Sequence, residues 1–251
     1  ADVPADWPAD ARLEAIVDLG FDSDSPGFQC EGLVRAADGT PRQGIHPRRQ
    51  AVPVTPTDGN VSIDIEAASN PMFPQFVESQ RGRLSTTDRD PLYTFHGADL
   101  VVVDPAAEAL FHDLVVADSL MRALPERSRR RIRLRVAITG ALDAIAVGDG
   151  IAAARAALTG VLAVAAPSDS HHMIASGHAH IDSAWLWPIR ETKRKCVRTF
   201  TSAVDLMDRD PDYVFVCSQA VQYEWVRESE PTVFERIKAH VAGGQWVPIG
   251  G

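Results

Sequence analysis

The stretch GHAHIDSAWLWP, residues 177–188, decides how the second half of this chain is read. It follows the apolar run Met173-Ile174-Ala175 and carries His178, His180 and Asp182 at every second position, then Trp185, Trp187 and Pro188. Side chains alternate faces along a strand, so a strand over 173–182 would point both imidazoles and the carboxylate the same way. Two nitrogens and an oxygen on one face are the beginning of a zinc site, because zinc takes His and Asp ligands at about 2.0–2.2 Å. They are only a beginning, since a catalytic zinc takes three protein ligands, which come from several strands. The competing reading makes the histidines hydrogen-bonded structural residues. Trp185 and Trp187 are equally open, as core aromatics or as a platform on which a sugar ring or base stacks.

Downstream, the pattern alternates between periods. Residues 191–207 read as an amphipathic helix with Cys196, Phe200, Ala203 and Met207 on one face. Tyr213-Val214-Phe215-Val216-Cys217 reads as a buried strand. A second helix is expected over 231–241, with Phe234, Ile237 and Val241 inward and Gly243-Gly244 as its stop signal. Residues 245–249 complete the series as a third strand. Strand, helix, strand, helix, strand is the signature of a parallel sheet with crossover helices. The histidine stretch then sits at the C-terminal end of the first strand, the end where active sites of such sheets gather.

Upstream, the chain divides by composition. Residues 1–104 read as a β-sandwich domain: Val61 to Glu66 alternates apolar and polar, Asp38-Gly39 marks a hairpin turn, and prolines at 41, 47, 53 and 56 exclude a long helix. Residues 105–170 read as a helical linker, with Leu134, Ile138, Leu142 and Ile145 along one face and Gly148-Asp149-Gly150 between two helices. Residues 127–135 are the most basic in the chain. A nucleic-acid or anionic surface could use them, but a solvated helix face is the better expectation in a protein of net charge −9.

Length and composition narrow the class further. An apolar fraction of 45% over 251 residues suits one large or two ordinary globular domains. No apolar run approaches the roughly 20 residues of a membrane span, so no membrane partner is expected, and no nucleic acid. The three cysteines, Cys30, Cys196 and Cys217, match no disulfide framework, and Cys196 and Cys217 read as small buried hydrophobes. A reduced, cytoplasmic protein is expected. The first residues show no secretory signal, and the missing initiator methionine suggests trimming there. His171-His172 precede the strand and read as an exposed loop.

Residues 177–251 resemble the opening of the catalytic domain of the α-mannosidases of glycoside hydrolase family 38. The likeness rests on Gly177 to Pro188, Glu191 to Cys196, Cys217-Ser218-Gln219-Ala220, Gln222-Tyr223-Glu224-Trp225 and Trp246 to Gly251. A weaker likeness through Glu31-Gly32-Leu33, Gly44 to Arg48 and Glu66 to Met72 resembles the sandwich domain that precedes the catalytic domain in the bacterial and fungal cytosolic or vacuolar branch. The resemblance implies an α/β fold with an N-terminal sandwich, a helical linker, and over 171–251 the first βαβαβ part of an α/β barrel. It implies a retaining exo-α-mannosidase with one Zn2+, acting on mannose-containing oligosaccharides. By matching positions His180 and Asp182 fall on the first two metal ligands and Trp185 on the wall of the mannose pocket. His178 matches a position that is not a ligand, and a role in orienting the site is our reading of it. The nucleophilic aspartate, a histidine ligand and the acid/base would lie beyond Gly251. The chain as given is therefore expected to carry no catalytic carboxylates and to be inactive, with the remainder of the same polypeptide as its partner. The sandwich is expected to pack on the catalytic domain, and a homo-oligomer using it as an interface is left open.

Two other functions are compatible with parts of the sequence. An amidohydrolase-type metallohydrolase would use His178 and His180 as paired ligands, with Asp182 a bystander. A non-catalytic carbohydrate-binding fragment would use the sandwich alone, though aromatics make up only 7% of the chain.

Overall fold

A computed structural model describes residues 1–27, 29–70, 93–166, 168, 170–185 and 187–250. The likeness quoted at Pro71-Met72, and the positions Pro167, Leu186 and Gly251, lie outside the described residues. The chain divides into two compact units, one of residues 1–101 with 174–251 and one of residues 102–173.

In the first unit, two three-stranded sheets build the amino-terminal layer pair. Strands β1 (Leu13–Asp18), β4 (Ala51–Val54) and β6 (Gly97–Val102) lie in the order β4-β1-β6. Strands β2 (Glu31–Arg35), β3 (Pro41–Ile45) and β5 (Asp64–Ala68) lie in the order β3-β2-β5. The β2–β3 hairpin turns where the Asp38-Gly39 signal places it, with Gly39 at φ +83°. The alternating stretch from Val61 pairs later than expected, as β5 over Asp64–Ala68 against β2. Ala15, Val17 and Val52 from one sheet and Val34 and Ile45 from the other share a core with Leu19 and Cys30.

After residue 174 the same unit carries a parallel sheet. Strands β7 (Gly177–His178), β8 (Phe215–Cys217) and β9 (Trp246–Pro248) lie in that order, β8 central and parallel to both neighbours. Helix α4 (Ile189–Arg209) connects β7 to β8, and α5 (Ala220–Ser229) and α6 (Pro231–Ala242) connect β8 to β9. The α5 helix is absent from the sequence reading. Its Val221, Tyr223 and Trp225 alternate with polar residues; Gln222 and Val226 are fully inside, while Tyr223 and Trp225 are half-buried against the same core.

The expected strand over 173–182 is corrected to a two-residue β7. Met173 and Ile174 are 92% and 99% exposed and pair with no strand among the described residues. Only Gly177 and His178 find backbone partners, Phe215 and Val216. An apolar run becomes a strand only where a neighbouring backbone takes up its N–H and C=O groups. In α6 the inward residues are Val233 and Ile237, with Phe234 half-buried and Val241 exposed.

Helix α4 holds the sheet and the sandwich together. Cys196, Phe200, Ala203 and Met207 form the expected apolar face, joined by Val197 and Val204. Phe200, Phe215 and Trp246 pack as an aromatic cluster, with Phe200 and Trp246 edge-to-face at 5.1 Å. The opposite side of α4 is polar yet also buried, because β3 lies directly on it. A Cβ on Gly44 would meet Ser202 Oγ at 2.9 Å and the Arg198 carbonyl at 3.0 Å, and the Gly44 N–H donates to that Ser202 Oγ at 2.8 Å. Glycine is needed there for the close approach rather than for its dihedral freedom.

The second unit is a helical pack of α1 (Pro105–Ala123), α2 (Arg129–Ala146) and α3 (Ile151–Leu162). Asp104 caps α1 by accepting from Ala106 N and Ala107 N, and Ser128 caps α2 by accepting from Arg131 N. Leu134 is buried and Ile138 half-buried as expected, but Leu142 (53% exposed) and Ile145 face outward. The seam runs instead through Ala137, Ala141 and Ala144, whose small side chains let the helices approach. Much of the basic run 127–135 is a solvent-exposed helix face. Among the described residues no helix is long and apolar enough to cross a membrane.

Candidate metal and substrate site

The site is built where β7 ends. Three residues beyond the last paired strand position, at Ile181, the backbone is held by Gln222, whose buried Nε2 donates to the Ile181 carbonyl at 3.1 Å. The chain then turns through Ala184, which adopts a left-handed φ of +54°. That conformation is strained for alanine and persists only if its surroundings enforce it. Thr192, in the first turn of α4 and fully buried, supplies the constraint. Its Oγ1 accepts from the Ala184 N–H and from the Trp187 indole N–H, both at 3.1 Å, and donates to the Asp182 carbonyl at 3.3 Å. One hydroxyl thus uses its single proton and both lone pairs on one loop.

This turn brings two of the expected side chains together. His180 Nε2 lies 3.1 Å from Asp182 Oδ1, both partly open to solvent. With a proton on Nε2 this is a hydrogen bond. With that nitrogen deprotonated, the pair can share a cation, because two ligands about 2.1 Å from one ion, at angles between a right angle and the tetrahedral value, stand about 3.0–3.4 Å apart. The observed separation fits, so His180 and Asp182 could hold a zinc ion between them. Among the described residues no group of three or more His, Cys, Asp or Glu converges on a metal-sized space, so these two would supply part of a ligand set.

His178 is placed differently. Its Nδ1 stands 2.9 Å from the Val216 carbonyl, which can only accept, so Nδ1 carries the proton in this bond. That ties the ring to the neighbouring strand β8. His178, His180, Asp182 and Trp187 line one groove of about 550 Å³, completed on the sandwich side by Glu31 and His46 among others. Trp187, not Trp185, is in that lining. Trp185 is 41% exposed and stands edge-to-face to Trp187 with ring centroids 5.8 Å apart.

Behind the loop is a buried charge cluster that the sequence reading missed. Glu31, at the start of β2, receives Lys195 Nζ on Oε1 and Arg198 Nε on Oε2, the latter at 2.9 Å. Arg198 also binds Glu191, which accepts from Asn70 Nδ2 at 3.2 Å. Burial alone would raise the Glu31 carboxyl, but the two cations outweigh it and hold it below its ordinary range. Lys195 Nζ further donates to the Gly27 carbonyl at 3.2 Å and sits 4.2 Å from the Trp187 ring centroid. One signal was available. Glu191, Lys195 and Arg198 recur at helical spacing, one face of α4 given wholly to charge, opposite an apolar one.

Comparison with known proteins agrees with both halves of this architecture. Residues 170–251 match the family described as Glycosyl hydrolases family 38 N-terminal domain. Residues 1–101 match the one described as Alpha-mannosidase, jelly roll domain. Residues 170–251 thus carry a glycoside hydrolase family 38 N-terminal domain. Among curated proteins it is similar to Alpha-mannosidase 2C1 of Homo sapiens, 29% identical over 230 residues, covering 88% of this chain and 22% of the relative. It is 30% identical over 212 residues to Alpha-mannosidase of Saccharomyces cerevisiae, covering 76% of this chain and 19% of the relative. Alpha-mannosidase G of Dictyostelium discoideum is 26% identical over 260 residues, covering all of this chain and 23% of the relative. The chain therefore spans about a fifth of the length of the curated relatives it matches. The amidohydrolase and stand-alone binding alternatives gain no support. His180 faces Asp182 rather than a second histidine, and the sandwich matches a domain of α-mannosidases.

Proposed function

We propose that this chain contributes the sandwich and the first part of the catalytic domain to a zinc-dependent, retaining exo-α-mannosidase that removes terminal α-mannose from glycans. The observation that carries the reading is the 3.1 Å approach of His180 Nε2 to Asp182 Oδ1 just beyond a parallel strand, in a segment that matches the family 38 N-terminal domain. His180 and Asp182 would hold the zinc, and His178, anchored on Val216, would orient the strand end beside them. When bound, the ion would hold sugar hydroxyls and favour a distorted ring. Trp185, exposed next to the loop, is the candidate wall for the sugar. We take β7, β8 and β9 with their crossover helices as the opening of an α/β barrel; the parallel pairing of all three strands supports this. Retaining hydrolysis uses two carboxyl groups, one as nucleophile and one as acid then base. No residue of this chain is assigned either role, and both are placed in the remaining polypeptide. The three cysteines are free and buried, which suits a reducing, cytoplasmic setting.

The test uses the full-length enzyme, reading zinc content by native mass spectrometry and hydrolysis of an aryl α-mannoside. Wild type should carry one zinc per active site. Asp182→Ala should lose both zinc and turnover, with the fold retained by circular dichroism. Full zinc occupancy in Asp182→Ala would overturn the assignment.

A further inference from the structure

The buried charge cluster reaches the candidate site through an unbroken series of contacts. Glu31, in the sandwich, fixes Lys195 on the first two turns of α4. The ammonium of Lys195 lies over the Trp187 ring at 4.2 Å. The Trp187 indole N–H donates to Thr192 Oγ1, and Thr192 Oγ1 donates to the carbonyl of Asp182. A lysine stem is flexible, and its head would otherwise seek water. Here two groups hold it on the ring, both from the sandwich: the Glu31 carboxylate and the Gly27 carbonyl. Gly27 belongs to a loop that is itself braced. The buried Gln29 side chain donates to the carbonyls of Ser23 and Ser25 and accepts from Asp22 N–H.

Charge makes the arrangement specific. Glu31, Glu191, Lys195 and Arg198 balance two negative against two positive groups, all four buried. Removing the charge of Glu31 leaves Arg198 with Glu191, and Lys195 no longer has an anion to keep it on the indole. A buried ion cluster is a poor source of stability compared with an apolar one, so geometry is the effect it can supply here.

We propose that Glu31 is a positioning residue for the His180–Asp182 site, acting from the sandwich through Lys195, Trp187 and Thr192. The sandwich is then part of the site's construction and not only a neighbouring domain. This rests on the reading of His180 and Asp182 as zinc ligands. Loss of an immediate ligand-orienting contact costs about 10- to 100-fold in metal affinity, and Glu31 acts at several contacts' remove, so an effect of about three- to tenfold is expected.

The experiment measures zinc affinity of the full-length enzyme by competition with a chromogenic chelator, Zn2+ alone being the ligand. Glu31→Gln, which keeps shape and removes charge, is compared with Arg35→Ala. Arg35 lies on the same strand and ties the sandwich to Glu230 at 2.6 Å, with no link to Trp187. Glu31→Gln should weaken zinc about three- to tenfold, and Arg35→Ala should leave it within about twofold whatever its effect on melting. If Glu31→Gln does not fold, Lys195→Met, which keeps an unbranched stem over Trp187, carries the same expectation. Equal weakening by Glu31→Gln and Arg35→Ala, in step with lost stability, would show that Glu31 only holds the domains together. Unchanged affinity in Glu31→Gln would overturn the proposal outright. A wild-type enzyme that takes up no zinc would instead overturn the site reading beneath it.

Discussion

Replacing Thr192 by valine removes one oxygen atom and keeps the shape of the side chain, so its consequences can be worked from three hydrogen bonds. The Trp187 indole N–H is in a buried environment, and stranding it costs about 1–3 kcal/mol. The Ala184 N–H and the Asp182 carbonyl are only part-buried and can recruit water, so each loses about 0.5 kcal/mol net. The sum is about 2–4 kcal/mol against the closed loop, with the left-handed Ala184 favouring release in the same direction. At about 1.4 kcal/mol per factor of ten, local opening of residues 182–187 should increase about 30- to 700-fold. Limited proteolysis within residues 182–187 reads this opening, because cleavage of a local unit that recloses quickly follows its own opening free energy. Thr192→Ser keeps the hydroxyl and should stay near wild type. The reasoning is refuted if Thr192→Val is cleaved there within threefold of the wild-type rate, or if Thr192→Ser is cleaved as fast as the valine variant.

Two further consequences concern titration. The folded-state pKa of Glu31 lies below its ordinary value, so its contribution to stability is present above that value and is lost as pH falls through the depressed one. Acid denaturation should therefore show a limb beginning below about pH 4.5 that flattens in Glu31→Gln, with melting temperature against pH as the measurement; parallel curves would exclude Glu31 as the group responsible. Burial pushes the thiols of Cys30 and Cys196 up to about 12. Neither should react with a thiol-disulfide reagent at pH 8 in the native protein, and both should react promptly in denaturant; rapid native labelling at either position, mapped by peptide mass spectrometry, would contradict the packing described.

Much of the second half of this protein follows from one-dimensional pattern. The apolar period of α4, the buried strand around Phe215 and the glycine stop after α6 are local properties, legible because each residue's facing depends only on its distance along the chain. The 3.1 Å approach of His180 to Asp182 does not belong with them, since the turn beyond β7 closes a gap that the period of an extended strand alone would set at roughly 7 Å. The same logic misplaced β7, because an apolar run states a preference for burial and not whether a partner backbone is present to pair with Met173 and Ile174. It missed α5, whose apolar Val221, Tyr223 and Trp225 alternate with polar residues and show no helical period. Nor could it place Thr192 on three groups of one loop, or bring Glu31 to Lys195 across 164 positions of sequence. Contacts of that kind leave no period in the chain. They exist only once β3 rests on α4 at a glycine, and from that packing alone comes the path by which the sandwich reaches the site.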